Sequence, residues 1–263
     1  DAIKVDAKEI TGTGAELVTL YGNAKFDNLG NENVKVTGGT IAQINNILGL
    51  TTGVVTASLT DTAANLTNTV TGLTNATSGK DALTLKVTNG VAATNAADLL
   101  KLDGFTSVKV DATGITNGIT GNAAQLKQLI ASKGVEIAKG VDITVTGPIS
   151  AADLNVILKS TLGDVTATNV ATDTAAKLNA ALKDASSADA LTLTLSAGTA
   201  SAKDLLTLDG KTSAPVGAGA VTEITGTFVD VQKVVDAGTA GTITLAGTEN
   251  YTISGTVTAA QAD

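Results

Sequence analysis

The sequence predicts an α/β solenoid: stacked coils, each with one short parallel strand and one short helix, at about 27 residues per coil. A right-handed parallel β-helix with three short faces per coil is the alternative geometry. Three observations lead there. A helix-start mark recurs ten times, a short alternating apolar run precedes it, and the apolar residues are almost all small aliphatics.

The mark is a Ser, Thr or Asn, two further residues, an acid or amide, and then an apolar residue. It occurs at Thr13/Glu16/Leu17, Thr40/Gln43/Ile44, Asn95/Asp98/Leu99, Asn122/Gln125/Leu126, Ser150/Asp153/Leu154, Ser201/Asp204/Leu205, Thr227/Asp230/Val231 and Thr258/Gln261. Looser copies stand at Thr62/Asn65/Leu66 and Thr174/Lys177/Leu178. Chemically this is a capping box: the first side chain accepts a hydrogen bond from the N–H three residues on, and the acid or amide reaches back. Apolar residues then follow at helical spacing, as in Ile44, Ile47 and Leu48, or Leu126, Leu129 and Ile130, or Leu154, Ile157 and Leu158. Gly134 and Gly238 are expected as left-handed C-caps, and Pro148 precedes a helix start.

The alternating runs are Val34–Val36, Leu83–Val87, Val108–Val110, Ile143–Val145 and Leu191–Leu195. Period two and β-branched content predict strands with one face inward. Strands about 4.8 Å apart would give ten coils a sheet roughly 45–50 Å long. The wider gap between the marks at Thr62 and Asn95 predicts a loop insertion around Thr74–Lys80.

A longer repeat overlies the short one. Asp61–Leu66 returns as Asp173–Leu178, Asp81–Leu85 as Asp189–Leu193, and Asp98–Gly104 as Asp204–Gly210. The block duplication spans approximately 34–142 and 143–250, and Ile143–Gly147 returns once more as Tyr251–Gly255. No stretch has the Gly, Pro or charge content of a linker, so residues 1–263 are expected to form a single elongated repeat domain. The opening at Asp1, without Met or a signal-peptide pattern, implies a processed product or a fragment of a larger protein.

Composition narrows the chemistry. The chain has no Cys, His, Met or Trp, and all 17 of its basic residues are Lys. The usual zinc, haem and iron–sulfur ligand sets cannot be assembled, nor can imidazole triads or thiol nucleophiles. A net charge of −8 without Arg argues against nucleic acid as a partner. No apolar run reaches the ~18 residues of a membrane span. The expectation is that the protein is not an enzyme and has no catalytic residues.

Several features invite a functional reading beside a structural one. Asp98, Asp153, Asp204 and Asp230 could form a carboxylate row, but their positions in the marks alternate with Gln, as capping allows. Asp103-Gly104 and Asp209-Gly210 suit turns or, with more oxygens converging, calcium. Thr144/Thr146, Thr166/Thr168, Thr192/Thr194 and Thr242/Thr244 could stack as an ice-binding hydroxyl ladder, although Lys35, Lys86 and Lys109 stand at comparable positions. Gly12-Thr-Gly14 and Gly217-Ala-Gly219 fall short of a phosphate loop. Asn65, Asn75 and Asn250 match the glycosylation acceptor pattern.

The Ala/Thr/Val/Gly-rich repeats, as in Ile143–Leu154 and Val165–Leu178, resemble those of bacterial surface-layer proteins and other large secreted surface proteins. That resemblance covers nearly the whole chain and rests on composition and repeat style. It implies an acidic extracellular protein that assembles with copies of itself into a lattice or filament on the bacterial cell surface. It also implies contact with cell-surface polysaccharide, type I export and ordering by Ca2+. The glycine-rich calcium nonapeptides of that class are missing from this sequence. An adhesin stalk or an ice-binding repeat module is the alternative function.

Overall fold

The computed structural model describes residues 2–77 and 79–258. Nine helices occur among them: α1 Gly14–Tyr21, α2 Ile41–Leu50, α3 Ala63–Leu66, α4 Ala96–Asp103, α5 Ala123–Ala131, α6 Ala151–Leu158, α7 Ala175–Ala181, α8 Ala202–Asp209 and α9 Phe228–Ala240. Every helix-start mark within the described residues opens one of them. Thr13 accepts from the Glu16 N–H at 3.3 Å, and the Glu16 carboxylate accepts from the Thr13 N–H at 2.8 Å. Thr40 with Gln43, and Asn122 with Gln125, close the same reciprocal pair. Asn95 differs slightly, accepting from Ala97 at 2.9 Å and leaving Asp98 to another partner. The mark at Thr258/Gln261 runs into residue 261, outside the described residues.

The chain forms two compact units, Asp1–Gly121 with Gln128–Val141, and Asn122–Lys127 with Asp142–Asp263. The second long stretch begins one residue from the block boundary at 142/143. In the first unit six parallel strands lie in the order Val135–Ile137, Val110–Ala112, Ala82–Thr88, Val55–Thr62, Asn33–Val36, Glu9–Gly12. Short pairs, Ile3–Lys4 on Phe26–Asp27 and Thr94–Asn95 on Ile119–Asn122, are parallel too. In the second unit Ile143–Thr146, Val165–Ala167 and Ala190–Leu191 pair in sequence. Gly198–Ser201, Val221–Gly226 and Asn250–Ile253 do likewise, as do Val216–Gly217 and Ile243–Thr244. Partner residues are one repeat apart, from 21 positions for Val34 and Val55 to 27 for Glu223 and Asn250. The architecture is α/β, with helices and parallel strands alternating along the chain.

The predicted inward stripes are the core. Ile44, Ile47, Leu154, Ile157, Leu83, Leu85 and Val87 are all fully buried. Each such side chain contributes about 1.5–3 kcal/mol against exposure. The loop insertion also appears: the described residues of 67–81 hold no helix or strand.

Three expectations need correction. Most intervals between helices hold two strand segments where the sequence predicts one. Between α4 and α5, Asp111 accepts from the Thr113 N–H and hydroxyl, and Gly118 at φ 87° bends the chain, so Val110–Ala112 is separated from Ile119–Asn122. That brings in a feature of the β-helix alternative. The predicted strand at Val108–Val110 begins only at Val110, because Val108 follows the turn that Thr106 caps, and that at Leu191–Leu195 is a strand only over Ala190–Leu191, with isolated bridges at Thr194 and Leu195. Gly134 and Gly238 are not left-handed caps; Gly241 is, at φ 81°. Both are crowded by side chains: a Cβ on Gly134 would lie 1.6 Å from an Asp103 carboxylate oxygen, and one on Gly238 2.8 Å from Leu245, so either neighbour would have to shift.

The same crowding yields a stability prediction. A Cβ on Gly53 would lie 2.2 Å from the Glu32 carbonyl oxygen, whereas one on Gly140 would meet nothing within 4 Å. Gly53→Ala is expected to cost about 1–3 kcal/mol. Gly140→Ala should leave the urea midpoint nearly unchanged.

Candidate functional site

Many polar side chains are bonded from one repeat to the next. Asp81 and Asp189, which open the two copies of Asp-Ala-Leu-Thr-Leu, are buried at 0% and 4% exposure. Asp81 accepts from the Val55 N–H at 3.2 Å and the Thr77 N–H at 3.0 Å. Asp189 accepts from the Val165 N–H at 2.8 Å, the Ser186 N–H at 2.8 Å and the Ser186 hydroxyl at 3.0 Å. Each carboxylate thus ties the strand of the repeat before it to its own turn. The sequence shows these residues as part of a repeat, yet nothing in their spacing marks them as buried.

The four aspartates of the marks also accept hydrogen bonds, three of them from another repeat. Asp98 accepts from the Thr67 hydroxyl, and Asp153 from the Lys127 ammonium at 2.5 Å. The Lys127 ammonium holds the Asp153 carboxyl below the usual carboxylate range. Asp204 takes hydrogen bonds from Ser201 and Asn179, and Asp230 from Thr227. Among the described residues, no three carboxylates converge as a metal ion requires. Asp103 and Asp209 end helices α4 and α8, and their glycines are right-handed C-caps. Their carboxylates accept from Ser132 and Thr242, about one repeat on.

Lysines cap helix ends across repeats. The ammonium groups of Lys80, Lys101 and Lys211 donate to the carbonyls of Thr51, Thr67 and Leu182, the C-cap residues of α2, α3 and α7. Cations there complement the exposed carbonyls and the helix dipole. Asn45, Asn89 and Asn155 each accept from a backbone N–H 27 to 30 residues on.

A second recurring mark lies after the helices, and the sequence reading missed it. Thr51, Thr106, Ser132, Thr161, Ser186 and Thr212 each accept from the N–H two residues on. Several also bond the preceding repeat, as Thr106 does with both the N–H and carbonyl of Leu83, and Thr212 with those of Leu191. Its signal is a hydroxyl residue at the repeat spacing, inconspicuous in a Thr-rich chain.

The remaining candidates fall apart geometrically. Thr144 lies opposite Thr166, but Thr166 then faces Ala190, so this hydroxyl row stops after two. Elsewhere Thr60 faces Lys86, which faces Asp111. Gly12-Thr-Gly14 is a strand end, an N-cap and a first helical residue. In Gly217-Ala-Gly219, Gly217 ends a strand and the Ala218 N–H donates to the Thr244 carbonyl at 2.9 Å. Asn65 and Asn75 donate their side-chain amides to Asp61 and to the Asn45 carbonyl, whereas Asn250 is exposed on an end strand. An open hollow of about 590 Å³ is lined by Thr62–Asn65, Asn89–Asn95 and Asp98. Its one carboxylate is the Asp98 already bonded to Thr67.

Two tyrosines face buried glutamates. Burial pushes the Glu32 carboxyl up, but the Tyr21 hydroxyl and the N–H groups of Gly30 and Asn31 outweigh it and leave it below its ordinary value. Glu249 is lowered in the same way, with Tyr251 donating at 2.7 Å and the Thr248 N–H at 3.0 Å. Burial, followed by the Glu249 carboxylate, pushes Tyr251 up to about 12. No helix among the described residues is long and apolar enough to cross a membrane. No family model, curated protein or solved structure matches the chain.

Two predictions follow from the buried acids. Asp189→Asn turns an N–H group toward the backbone donors and should cost about 2–3 kcal/mol, measured as a lowered urea midpoint. The lowered glutamates bind fewer protons folded than unfolded. Their contribution is complete above the unfolded carboxyl pKa and is lost as pH falls through the folded value. Glu32→Gln should therefore flatten the loss of stability measured below about pH 4.5.

Proposed function

We propose that the protein is a non-catalytic structural module of a bacterial cell-surface layer, working outside the cell and assembling with copies of itself through lateral contacts. Within each unit, successive repeats form the coils of a solenoid. The observation that carries this reading is the use of the polar side chains. Carboxylates, lysines, asparagines and hydroxyls bond repeat to repeat, as a scaffold needs and a catalytic centre does not. The acidic, cysteine-free composition and the surface-layer resemblance of the repeats agree with it.

The interrupted threonine rows supply no regular hydroxyl plane, so the ice-binding reading has no observation in its favour. Electron microscopy of the purified protein, with and without calcium, tests the proposal. Ordered arrays or filaments are the expected result. Dispersed particles under every condition would remove it.

A further inference from the structure

The dipeptide Asn-Gly occurs twice in the sequence, both times as Thr-Asn-Gly, at residues 88–90 and 116–118. The fold sets the two copies against each other. The Asn89 carbonyl oxygen accepts from the Thr116 N–H at 2.8 Å and the Asn117 N–H at 3.3 Å, and its amide nitrogen donates to the Thr116 hydroxyl at 2.7 Å. In return the Asn117 amide nitrogen donates to the carbonyls of Gly90 at 2.9 Å and Ala92 at 2.7 Å. Each asparagine ties down the other's turn.

This clasp belongs to the first block, for no Asn-Gly occurs in residues 143–250. The second block also runs from Leu195 to its cap Ser201 in two residues fewer than the first takes from Val87 to Asn95. The longer copy forms a loop at residues 90–93, with Val91 fully exposed, and that loop walls the hollow beside Asp98. Strand pairing resumes only at Thr94, whose N–H donates to the Gly118 carbonyl at 2.9 Å. Among the described residues, the two bonds from Asn117 are what hold residues 90–93 to the next repeat.

We propose that Asn117 is a site of spontaneous deamidation, and that its conversion releases the loop at residues 90–93. Gly118 has no side chain to hinder attack by its own backbone nitrogen. That nitrogen bonds the Asn117 side-chain carbonyl carbon and loses its proton, the bond to Nδ2 breaks, and ammonia leaves. Water then opens the cyclic imide to aspartate or isoaspartate. A carboxylate only accepts hydrogen bonds. At position 117 it confronts the Gly90 and Ala92 carbonyl oxygens, so both bonds are lost and repulsion takes their place. At position 89 the same change keeps both N–H bonds, and the Thr116 hydroxyl turns to donate. Asn89 is also pinned at both amide atoms, which resists ring closure, whereas Asn117 is exposed and held through its nitrogen. Asn117 therefore converts first, and its conversion is the one that opens the clasp.

Ageing of the intact protein in mildly alkaline buffer, followed by peptide mass spectrometry, tests the site. The mass gain of an amide turned to acid should build up at Asn117 faster than at Asn89. Hydrogen–deuterium exchange tests the consequence. Amides of residues 90–94 should exchange at least about tenfold faster in Asn117→Asp than in the unaltered chain, and within about twofold of it in Asn89→Asp. If Asn117→Asp does not fold, the acidic fraction separated from aged protein takes its place in the exchange measurement. No gain at Asn117, or a faster gain at Asn89, overturns the site. Unchanged exchange at residues 90–94, or equal loosening by Asn89→Asp, overturns the release.

Discussion

The rest of the structure depends on parallel pairing between residues one repeat apart. A strand of two to eight residues buries too little to hold its conformation alone. Leu59 lies opposite Leu85, and Ile143 opposite Val165, so inward side chains meet matching neighbours one repeat away. The offset between partners stays within 21 to 27 residues. Other features of the sequence serve that offset: capped helices, hydroxyls after the helices, and a glycine such as Gly53 where a turn approaches a neighbouring backbone. Small aliphatics suit it, since a bulky aromatic in one repeat would demand a hole in the next. The two tyrosines stand outside the repeating seam, each bonded to a buried glutamate.

What the sequence reveals and what it hides follow from how local each interaction is. Helix starts were legible because a cap and its partner are three residues apart, so Thr13 and Glu16 announce themselves without tertiary context. The inward stripes of α2 and α6 were legible for the same reason. The sequence places left-handed caps at Gly134 and Gly238, but a glycine near a helix end need not be one, and the neighbouring Asp103 and Leu245 side chains are invisible along the chain. The second strand segment of most repeats was hidden by its brevity; two or three residues carry no periodicity.

The engaged polar groups show the same limit. The sequence predicts Asn95 and Ser150 as caps with Asp98 and Asp153 reaching back, and Asn95 and Ser150 do cap. Their carboxylates, however, bond Thr67 and Lys127, 31 and 26 residues away. Asp81 is the sharper case. By composition an aspartate beside a lysine belongs at a surface, and Lys80 is 3.6 Å away. Its burial is made tolerable by backbone N–H groups from two repeats, and only the fold brings those together.

Such groups answer a difficulty peculiar to repeats. A slip of one residue along a strand would turn the apolar face outward and is strongly penalised. A slip of one whole repeat keeps nearly the same aliphatic pattern, so hydrophobic burial hardly distinguishes it. Buried polar groups do distinguish it, because an unpaired carboxylate in the seam costs far more than a missing methyl group. Asp81 and Asp189 occur once per block of four repeats, 108 positions apart, each opposite one particular backbone N–H. Asn45, Asn89 and Asn155 add further positions that fit a single neighbour. The aliphatic seam thus supplies the stability of stacking, and the sparse buried acids fix which repeat stacks on which.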